Sequence, residues 1–253
     1  MAVSLQKANF WKRISAYLFD TILTVMVVIG LAAALSALLG YETHTQKLES
    51  YYTKYEETYG VDFDITQEDF DALTEAEQEK YNEASEAFGK DPEVQALYSV
   101  MFTLTLVIIS ISALIGILAF YFIVPLFFKY GRTLGKKVFG LAVVRTNCVK
   151  ASNPVLFVRA ILGQYTIETM FPILLFLMVY FGLLGSVGTI TLLLFAVLQI
   201  AVLAVTKTNS AIHDLLSDTV VVDMASQQIF ETQDALLEYQ KQQALEAQNP
   251  ESL

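Results

Sequence analysis

Residues 14–39 read ISAYLFDTILTVMVVIGLAAALSALL, and this apolar run decides the fold class of the chain. A helix needs about 20 predominantly apolar residues to cross a bilayer, and the run is longer than that. Its one charged residue is Asp20, and an aspartate costs roughly 2.5–3.5 kcal/mol at the bilayer centre. The many apolar neighbours offset this cost, so we predict a spanning helix from about Ile14 to Leu39.

A cleaved signal peptide is the alternative interpretation of this first run, because basic residues precede it and small residues fill Ala32–Ala37. The apolar core of a signal peptide is usually about 7–15 residues long, and this run is longer. We therefore expect it to be retained as a membrane anchor.

Two further apolar stretches predict three more spanning helices. Tyr98–Phe128 predicts one, and Tyr165–Val205 is long enough for two. The sequence LLGSVG at Leu183–Gly188 breaks the second stretch into a predicted helical hairpin. The fold class that follows is all-α, an integral membrane bundle of about four transmembrane helices with a small helical extracytoplasmic cap. The predicted segments are an N-terminal tail with the first helix (1–40), an acidic extracytoplasmic segment (41–97), the rest of the membrane domain (98–223) with a basic loop (129–164), and a polar cytoplasmic tail (224–253).

Charge is distributed unevenly along the chain. Residues 41–97 contain sixteen acidic side chains and four lysines, whereas Lys129–Arg159 contains seven basic side chains and no acidic one. Loops rich in lysine and arginine stay on the cytoplasmic side of a membrane. With Lys7, Lys12 and Arg13 near the N-terminus, this predicts cytoplasmic termini and an outer location for segment 41–97. The net charge of −10 argues against nucleic acid as a partner.

The acidic segment 41–97 is too rich in tyrosine and phenylalanine for simple disorder. Thr74–Glu77 has the pattern of a capping box and Thr66–Asp69 resembles one, so both are expected to begin helices. Gly60 and Gly89 are expected to end helices. We predict two to three short helices that form a small cap.

The cap also contains Asp62-x-Asp64-x-Thr66, a spacing that is found in calcium-binding loops. Such a loop carries glycine at its sixth position and glutamate at its twelfth, where this chain has Gln67 and Leu73. We therefore interpret the segment as an acidic solvated surface. A weak divalent-cation site or a surface for a protein partner is the alternative.

Few residues of the chain suit catalysis or metal binding. Cys148 is the single cysteine, and the two histidines, His44 and His213, are far apart in the sequence, so we expect no metal site. Gly131–Lys136 superficially resembles a phosphate loop, but its glycines are too close together and Lys137 stands where serine or threonine is needed. The sequence has no recognisable catalytic set, and we expect neither enzymatic activity nor a bound cofactor.

Two short β-prone stretches lie outside the predicted spans, one after the second span and one after the fourth. Phe139–Val144 and Thr219–Val222 are apolar and β-prone, and we predict a short strand pair between them.

The basic loop residues are expected to contact anionic lipid headgroups, a specific anion site being the alternative. His213 is expected to help end the membrane domain. Gln227–Gln248 is expected to be a solvated tail, with a short amphipathic helix as the alternative.

Charged residues at membrane depth are the strongest functional signal in this sequence. Arg13 and Asp20 lie on one helical face, about 10 Å apart along the axis. Glu168 lies in the third predicted span, Arg159 precedes it, and Asp214 follows the fourth. We predict that these five residues form one ion-pair network at similar inner depth. The network either pins the helices together or relays protons or cations.

Three motifs occur in order along the chain. They are Arg13-x-x-Ala16-x-x-x-Asp20, then Gly131-x-Thr133-Leu-Gly135-Lys136-Lys137-x-x-Gly140-Leu141-x-Val143, and finally His213-Asp214-Leu-Leu-x-x-Thr219-Val-Val. Together they resemble the RDD family of bacterial membrane proteins, which is named for one arginine and two aspartates. The resemblance covers about Phe10–Val222 apart from the acidic cap. It implies that Arg13, Asp20 and Asp214 are the three named residues and that the glycine-lysine segment is the family's motif loop.

The resemblance also implies a function, because some relatives in that family are linked to sodium/proton exchange. We expect a multi-pass protein of the bacterial cell membrane that transports cations or protons. Asp20 is then expected to exchange a proton for a cation, with Arg13 favouring its charged form. Four spans are few for a lone transporter, so a homo-oligomer is expected. The alternative is a non-transporting accessory protein that binds another membrane or envelope protein through the cap or the tail.

Overall fold

The computed structural model describes residues 5–6 and 8–248, so Lys7 of the predicted basic N-terminus lies outside the described residues. Within them, four helices are long and apolar enough to cross a membrane. They span Phe10–Leu38, Pro92–Phe127, Asn153–Tyr180 and Gly185–Val205. The predicted all-α membrane fold is confirmed.

The second and third spanning helices each contain a π-helical stretch. In chain order, the elements are α1 (Phe10–Leu38), α2 (Tyr41–Tyr59), α3 (Gln67–Ala72), α4 (Glu75–Lys90), α5 (Pro92–Leu118), π1 (Ala119–Ile123), α6 (Val124–Phe127), a 3₁₀ turn (Lys129–Gly131), α7 (Leu134–Val138), β1 (Leu141–Arg145), α8 (Asn153–Val158), π2 (Arg159–Met170), α9 (Phe171–Tyr180), α10 (Gly185–Val205), α11 (Ile212–Leu216), β2 (Thr219–Asp223) and α12 (Gln233–Gln248). The chain divides into two compact units. The core unit comprises the described parts of residues 1–28 and 113–253, and the cap unit comprises residues 29–112.

The third spanning helix begins at Asn153 rather than near the predicted Tyr165, so the predicted basic loop 129–164 is shorter than expected. Pro154 lies in the first turn of this helix, where its missing N–H leaves no hydrogen bond unmade. The prediction placed the start too late because Arg159 and its polar neighbours lower the apolar content of the first turns.

The last two spanning helices form the predicted hairpin. α9 ends at Tyr180, α10 begins at Gly185, and the two helices pack against each other. The rings of Phe171 and Phe195 meet across this contact with centroids 4.9 Å apart. The break covers residues 181–184 and so overlaps the predicted one at Leu183–Gly188.

Local hydrogen bonds begin the helices of the cap unit where the sequence predicts. The capping box at Thr66–Asp69 is complete, with the carboxylate and the hydroxyl each accepting a backbone N–H. At Thr74–Glu77 the glutamate carboxylate accepts the threonine N–H at 2.9 Å. α2 ends at Gly60 as predicted, whereas α4 continues through Gly89 to Lys90. The predicted group of short helices is confirmed.

An aromatic core holds the cap unit together. Tyr51, Phe88, Val94 and Leu97 are buried in it. The rings of Tyr52 and Phe88 stack with centroids 4.6 Å apart. Burial of such rings explains why this acidic segment folds, since each contributes a large apolar area.

The predicted strand pair is present in the core unit. β1 and β2 pair antiparallel, with Leu141 opposite Asp223 and Val143 opposite Val221. Because side chains alternate between the faces of a strand, one face of the pair packs on α1 at Ala16 and the other packs on separate apolar residues. The strand pair therefore supports the loop that contacts α1.

The tail is more ordered than the sequence indicates. α12 extends from Gln233 to Gln248, and Leu236 packs against Cys148, Val149 and Phe230. The tail is therefore helical at Gln233–Gln248, and Leu236 is buried because it meets an apolar surface of the folded core unit, whereas most of the other described side chains of α12 are exposed. Residues 249–253 of the predicted tail lie outside the described residues.

Thr66→Ala is expected to loosen the start of α3, because alanine cannot accept the N–H of Asp69. Loss of a threonine N-cap costs about 1 kcal/mol, which makes opening of that turn about fivefold more frequent. Hydrogen–deuterium exchange of the protein in lipid nanodiscs measures this as faster exchange of the α3 amides. Thr53→Ala is the matched control, since Thr53 lies within α2 and bonds the Glu49 carbonyl of its own helix. Unchanged α3 exchange in Thr66→Ala would contradict the capping role.

Candidate functional site

Asp20 lies on α1, and its side chain is fully buried. Gly135 donates its backbone N–H to one carboxylate oxygen at 2.7 Å, and the hydroxyl of Thr133 donates to the other. The ammonium of Lys136 lies 3.9 Å from the same carboxylate. Three residues of the motif loop therefore hold Asp20 directly.

The missing side chain of Gly135 makes this close contact possible. A Cβ at that position would overlap the backbone oxygen of Ala16 and press on the carboxylate of Asp20. The remaining motif-loop glycines, Gly131 and Gly140, have φ values of 59° and 68°. Their positive φ lies in the left-handed region that glycine adopts without strain, so they turn the chain on either side of α7.

Asp214, in α11, is the second fully buried carboxylate. Arg159 of π2 donates to it from Nη2 at 2.6 Å, and Arg13 of α1 donates from Nη2 at 3.1 Å. The backbone N–H of Ala211 donates at 3.1 Å. Arg13 also donates to the carbonyl oxygen of Thr208 at 2.7 Å. One carboxylate thus joins three elements that are distant in the sequence.

The charge of Asp214 is fixed by these contacts. Burial alone would raise the pKa of Asp214, but the nearby Arg159, His213 and Arg13 lower it to about 2. Because the folded pKa lies below the ordinary value of 3.8, the ionised carboxylate stabilises the fold above about pH 4. This contribution is lost as the pH falls towards about 2.

Arg13 forms its ion pair with Asp214 and not with Asp20, which corrects the predicted single network. The two residues of α1 are seven positions apart, or about 10 Å along the axis, and the guanidinium extends towards α11 instead. Asp20 finds its cation in Lys136. The five predicted residues therefore fall into two groups. One is Asp20 with the motif loop, and the other comprises Arg13, Arg159, Glu168 and Asp214.

Glu168 binds a histidine that the sequence alone did not assign to the site. The backbone N–H of His213 donates to Glu168 Oε1 at 3.0 Å, and the ring Nδ1 lies 2.7 Å from Oε2. The other ring nitrogen, Nε2, lies 3.6 Å from a carboxylate oxygen of Asp214. A single histidine beside an aspartate has no distinctive spacing, so only the folded structure identifies this contact.

The π-helical form of π2 decides which side chains face this group. In an α-helix of about 3.6 residues per turn, Arg159 and Glu168 would lie about two and a half turns apart and face opposite sides. The i to i+5 hydrogen bonds of a π-helix widen each turn, so Arg159, Gln164 and Glu168 fall at about one-turn intervals on one face. The N–H of Phe171 bonds the carbonyl of Thr166 with this wider spacing. Such stretches occur frequently at functional sites.

Gly163 allows α11 to approach π2 closely. A Cβ on Gly163 would overlap the Cα and Cβ of His213. No local sequence pattern marks this glycine, because its role depends on a backbone that is distant in the sequence. Together with the wide turns of π2, it brings the imidazole of His213 within reach of Glu168.

A cavity of about 250 Å³ opens among these residues. Its ionisable lining includes Arg13, Lys136, Arg159, Glu168, His213 and Asp214, and apolar side chains of α1, α10, α11 and the two strands form much of the remaining wall. Two buried polar atoms of lining residues, Nε of Arg159 and Oε1 of Gln164, have no hydrogen-bond partner among the described residues. Because buried polar atoms need partners, one donor and one acceptor of residues that line the cavity are left unsatisfied. Within residues 5–6 and 8–248, no group of three or more His, Cys, Asp or Glu side chains is arranged to hold a metal ion.

The chain matches the model of one protein family, and the matched range includes the residues of this site. The model of the RDD family matches residues 7–218, which is well over half of the chain. The matched range contains both buried aspartates, the motif loop and π2, and it ends before β2. No curated protein and no solved structure matches the chain.

Gly163→Ala is expected to destabilise the core unit, because the added methyl group would overlap His213. Overpacking of this kind costs about 1–3 kcal/mol, which corresponds to a Tm lower by about 3–10 °C. Thermal unfolding of the detergent-solubilised protein measures it. Gly30→Ala is the matched control, since Gly30 also lies in a spanning helix but a Cβ there meets nothing within 4 Å. Equal Tm values for the two variants would contradict the close approach of α11 and π2.

Proposed function

Because the chain belongs to the RDD family, we propose that it exchanges monovalent cations for protons through the cavity of its core unit. The observation that carries this proposal is the cavity itself, in which Arg13, Arg159 and Glu168 of two spanning helices pair with Asp214 and His213 of α11. Removing a charge from water costs several kcal/mol per ion, so such pairs are weak contributors to stability. Ionisable side chains in spanning segments instead point to a path for ions or protons.

The exchanging carboxylate in this proposal is Glu168 rather than the expected Asp20. Asp20 is fully buried and is held by two hydrogen bonds and by Lys136. Glu168 lines the cavity, and its carboxylate contacts the ring of His213 there. Asp20 therefore positions the motif loop, whereas Glu168 meets the transported species.

The setting of the cavity in the membrane follows from charge and apolar surface. The excess of basic residues in Lys129–Arg159 supports a cytoplasmic location for that segment. Many large apolar side chains of α10 are exposed, including Leu193, Leu194 and Val197, and they suit contact with lipid or with a second copy of the chain. A homo-oligomer would enclose a longer path than four helices do. Transport, rather than enzymatic catalysis, is the activity proposed.

Glu168→Gln is expected to reduce cation-driven proton movement at least about tenfold, because the amide cannot balance a bound cation. The purified protein is reconstituted into liposomes that hold a pH-sensitive dye, with an acidic interior. Sodium or potassium chloride added outside should raise the internal pH, whereas choline chloride should not. Glu49→Gln is the matched control, since Glu49 is an exposed glutamate of the cap unit.

Two outcomes of the liposome experiment would contradict parts of this proposal. Wild-type protein that responds no more strongly than protein-free liposomes would remove the proposed exchange. A normal response of Glu168→Gln would retain exchange but exclude Glu168 as its carboxylate. A protonophore added at the end of each run confirms that the vesicles held a pH gradient.

Partner binding through the cap unit is a second candidate function. The cap folds around its own aromatic core, and its surface exposes acidic side chains such as Glu68, Asp71, Glu75 and Glu79. A folded acidic surface suits a partner with a basic patch. Crosslinking in intact cells is expected to recover one consistent partner with wild type and to lose it with Asp71→Lys combined with Glu75→Lys. Recovery of the same partner by both proteins would contradict this function.

A further inference from the structure

The cavity of the core unit lies beside the ends of two spanning helices. Its lining residues on α1 run from Phe10 to Tyr17, in the first turns of that helix, and those on α10 run from Gln199 to Leu203, near its end at Val205. α1 has 29 residues and is therefore about 43 Å long, whereas the hydrocarbon core of a bilayer is about 30 Å thick. The first turns of α1, and the cavity beside them, suit the depth of the lipid headgroups.

Three lining residues are largely exposed, and all three are aromatic or apolar residues of these helices. Phe10 and Tyr17 of α1 are 43% and 54% exposed, and Ile200 of α10 is 69% exposed. Aromatic side chains of spanning helices are frequent where the acyl chains of lipids meet the headgroups. The cavity therefore opens at a surface that suits a lipid molecule better than water.

The cations that line the cavity have unused hydrogen-bond donors. Arg13 has five N–H groups, and the described hydrogen bonds use two of them, to Thr208 and Asp214. Lys136 has three N–H groups, and one of them points to the hydroxyl of Thr133. The side chains of Arg13 and Lys136 are 11% and 10% exposed, so part of each reaches open space. The lining therefore presents donors to an incoming acceptor.

The carboxylates that line the cavity already have donors. Asp214 accepts from two guanidinium groups and one backbone N–H, and Glu168 accepts the backbone N–H of His213 and contacts its ring nitrogen. Asp20 does not line the cavity and lies 3.9 Å from the ammonium of Lys136, beyond hydrogen-bond distance. Three lining cations thus face two lining carboxylates, and the spare hydrogen-bonding capacity belongs to the cations.

We propose that this cavity binds the phosphate of an anionic phospholipid, which enters from the leaflet beside α1 and α10. A phosphate diester carries one negative charge and several acceptor oxygens, which suit the surplus of positive charge and of N–H donors. Basic pockets between spanning helices on the cytoplasmic side bind lipid headgroups, and the orientation proposed above puts the cavity on that side. The volume of about 250 Å³ holds a headgroup and leaves the acyl chains outside, along the exposed apolar side chains of the two helices.

Native mass spectrometry of the detergent-solubilised protein tests the preference for an anionic headgroup. The protein is mixed with phosphatidylglycerol and phosphatidylcholine that carry the same acyl chains, so only the headgroups differ. Phosphatidylglycerol is expected to be retained about tenfold more, because charge-assisted hydrogen bonds to its phosphate are not opposed by a choline cation. Equal retention of the two lipids would overturn the proposal.

Ile200→Trp tests the location of the site without a change of charge. The larger ring narrows the cavity where it opens, so the preference for phosphatidylglycerol is expected to be lost. Leu193→Trp is the matched control, since Leu193 is similarly exposed on the same face of α10, about two turns away, and does not line the cavity. A preference that persists unchanged in Ile200→Trp would overturn the assigned site. Lys136→Gln is less suitable, because it would leave the buried Asp20 without its cation.

A soluble phosphate offers the same acceptor oxygens, and competition separates the two sources. Inorganic phosphate and glycerol phosphate, each added in excess, are expected to leave phosphatidylglycerol bound. Neither compound has acyl chains to cover Phe10, Tyr17 and Ile200. Displacement of the lipid by either compound would overturn the lipid assignment and indicate a soluble phosphate as the occupant.

The outcome for the lipid site is independent of the proposed exchange, because lipid retention is measured without ion flux. Selective retention of phosphatidylglycerol by a protein that exchanges no cations would support the lipid site and remove exchange as the function. Equal retention of both lipids by a protein that exchanges cations in liposomes would overturn the lipid site and leave exchange standing.

Discussion

The buried carboxylate of Asp214 receives two guanidinium groups, from Arg13 at 3.1 Å and from Arg159 at 2.6 Å. These groups come from α1 and π2, whereas the carboxylate belongs to α11, so one set of ion pairs fixes the relative position of three elements. Removing one partner from a buried pair costs about 3–5 kcal/mol, because the remaining charge is left without compensation. The cavity and the contact between Glu168 and His213 depend on this anchor, since His213 is the residue before Asp214 in a short helix.

The width of π2 is the second constraint, and it follows from the same anchor. Arg159 must face Asp214 while Glu168, nine residues later, faces His213 on the same helix. An α-helix of about 3.6 residues per turn would send one of the two to the opposite side. Wider turns place both on one face with Gln164 between them, and Gly163 leaves room for the backbone of α11. The π-helix is a rare form, and the positions of Arg159 and Glu168 require it here.

Features that depend on local sequence were predictable, and features that depend on distant contacts were not. The spanning helices and the capping box at Thr66–Asp69 follow from neighbouring residues, and both are present. The predicted network contained both Arg13 and Asp214, but its division into two groups was not predicted, because α-helical spacing indicates which residues share a face but not the direction in which a long side chain extends. His213 was missed for a related reason, since its carboxylate partner is 45 residues away in the sequence.

The two aspartates that the RDD family is named for have different surroundings, although both are fully buried. Asp20 meets a backbone N–H, a hydroxyl and a single ammonium, all from the motif loop, and this set can hold α7 on α1 without any change of charge. Asp214 meets two guanidinium groups and one ring nitrogen of His213. If stability were the only requirement, apolar side chains of similar volume would serve as well as the second set. On the proposed function the asymmetry has a purpose, because Asp214 stays negative and holds His213, and through it Glu168, at the cavity.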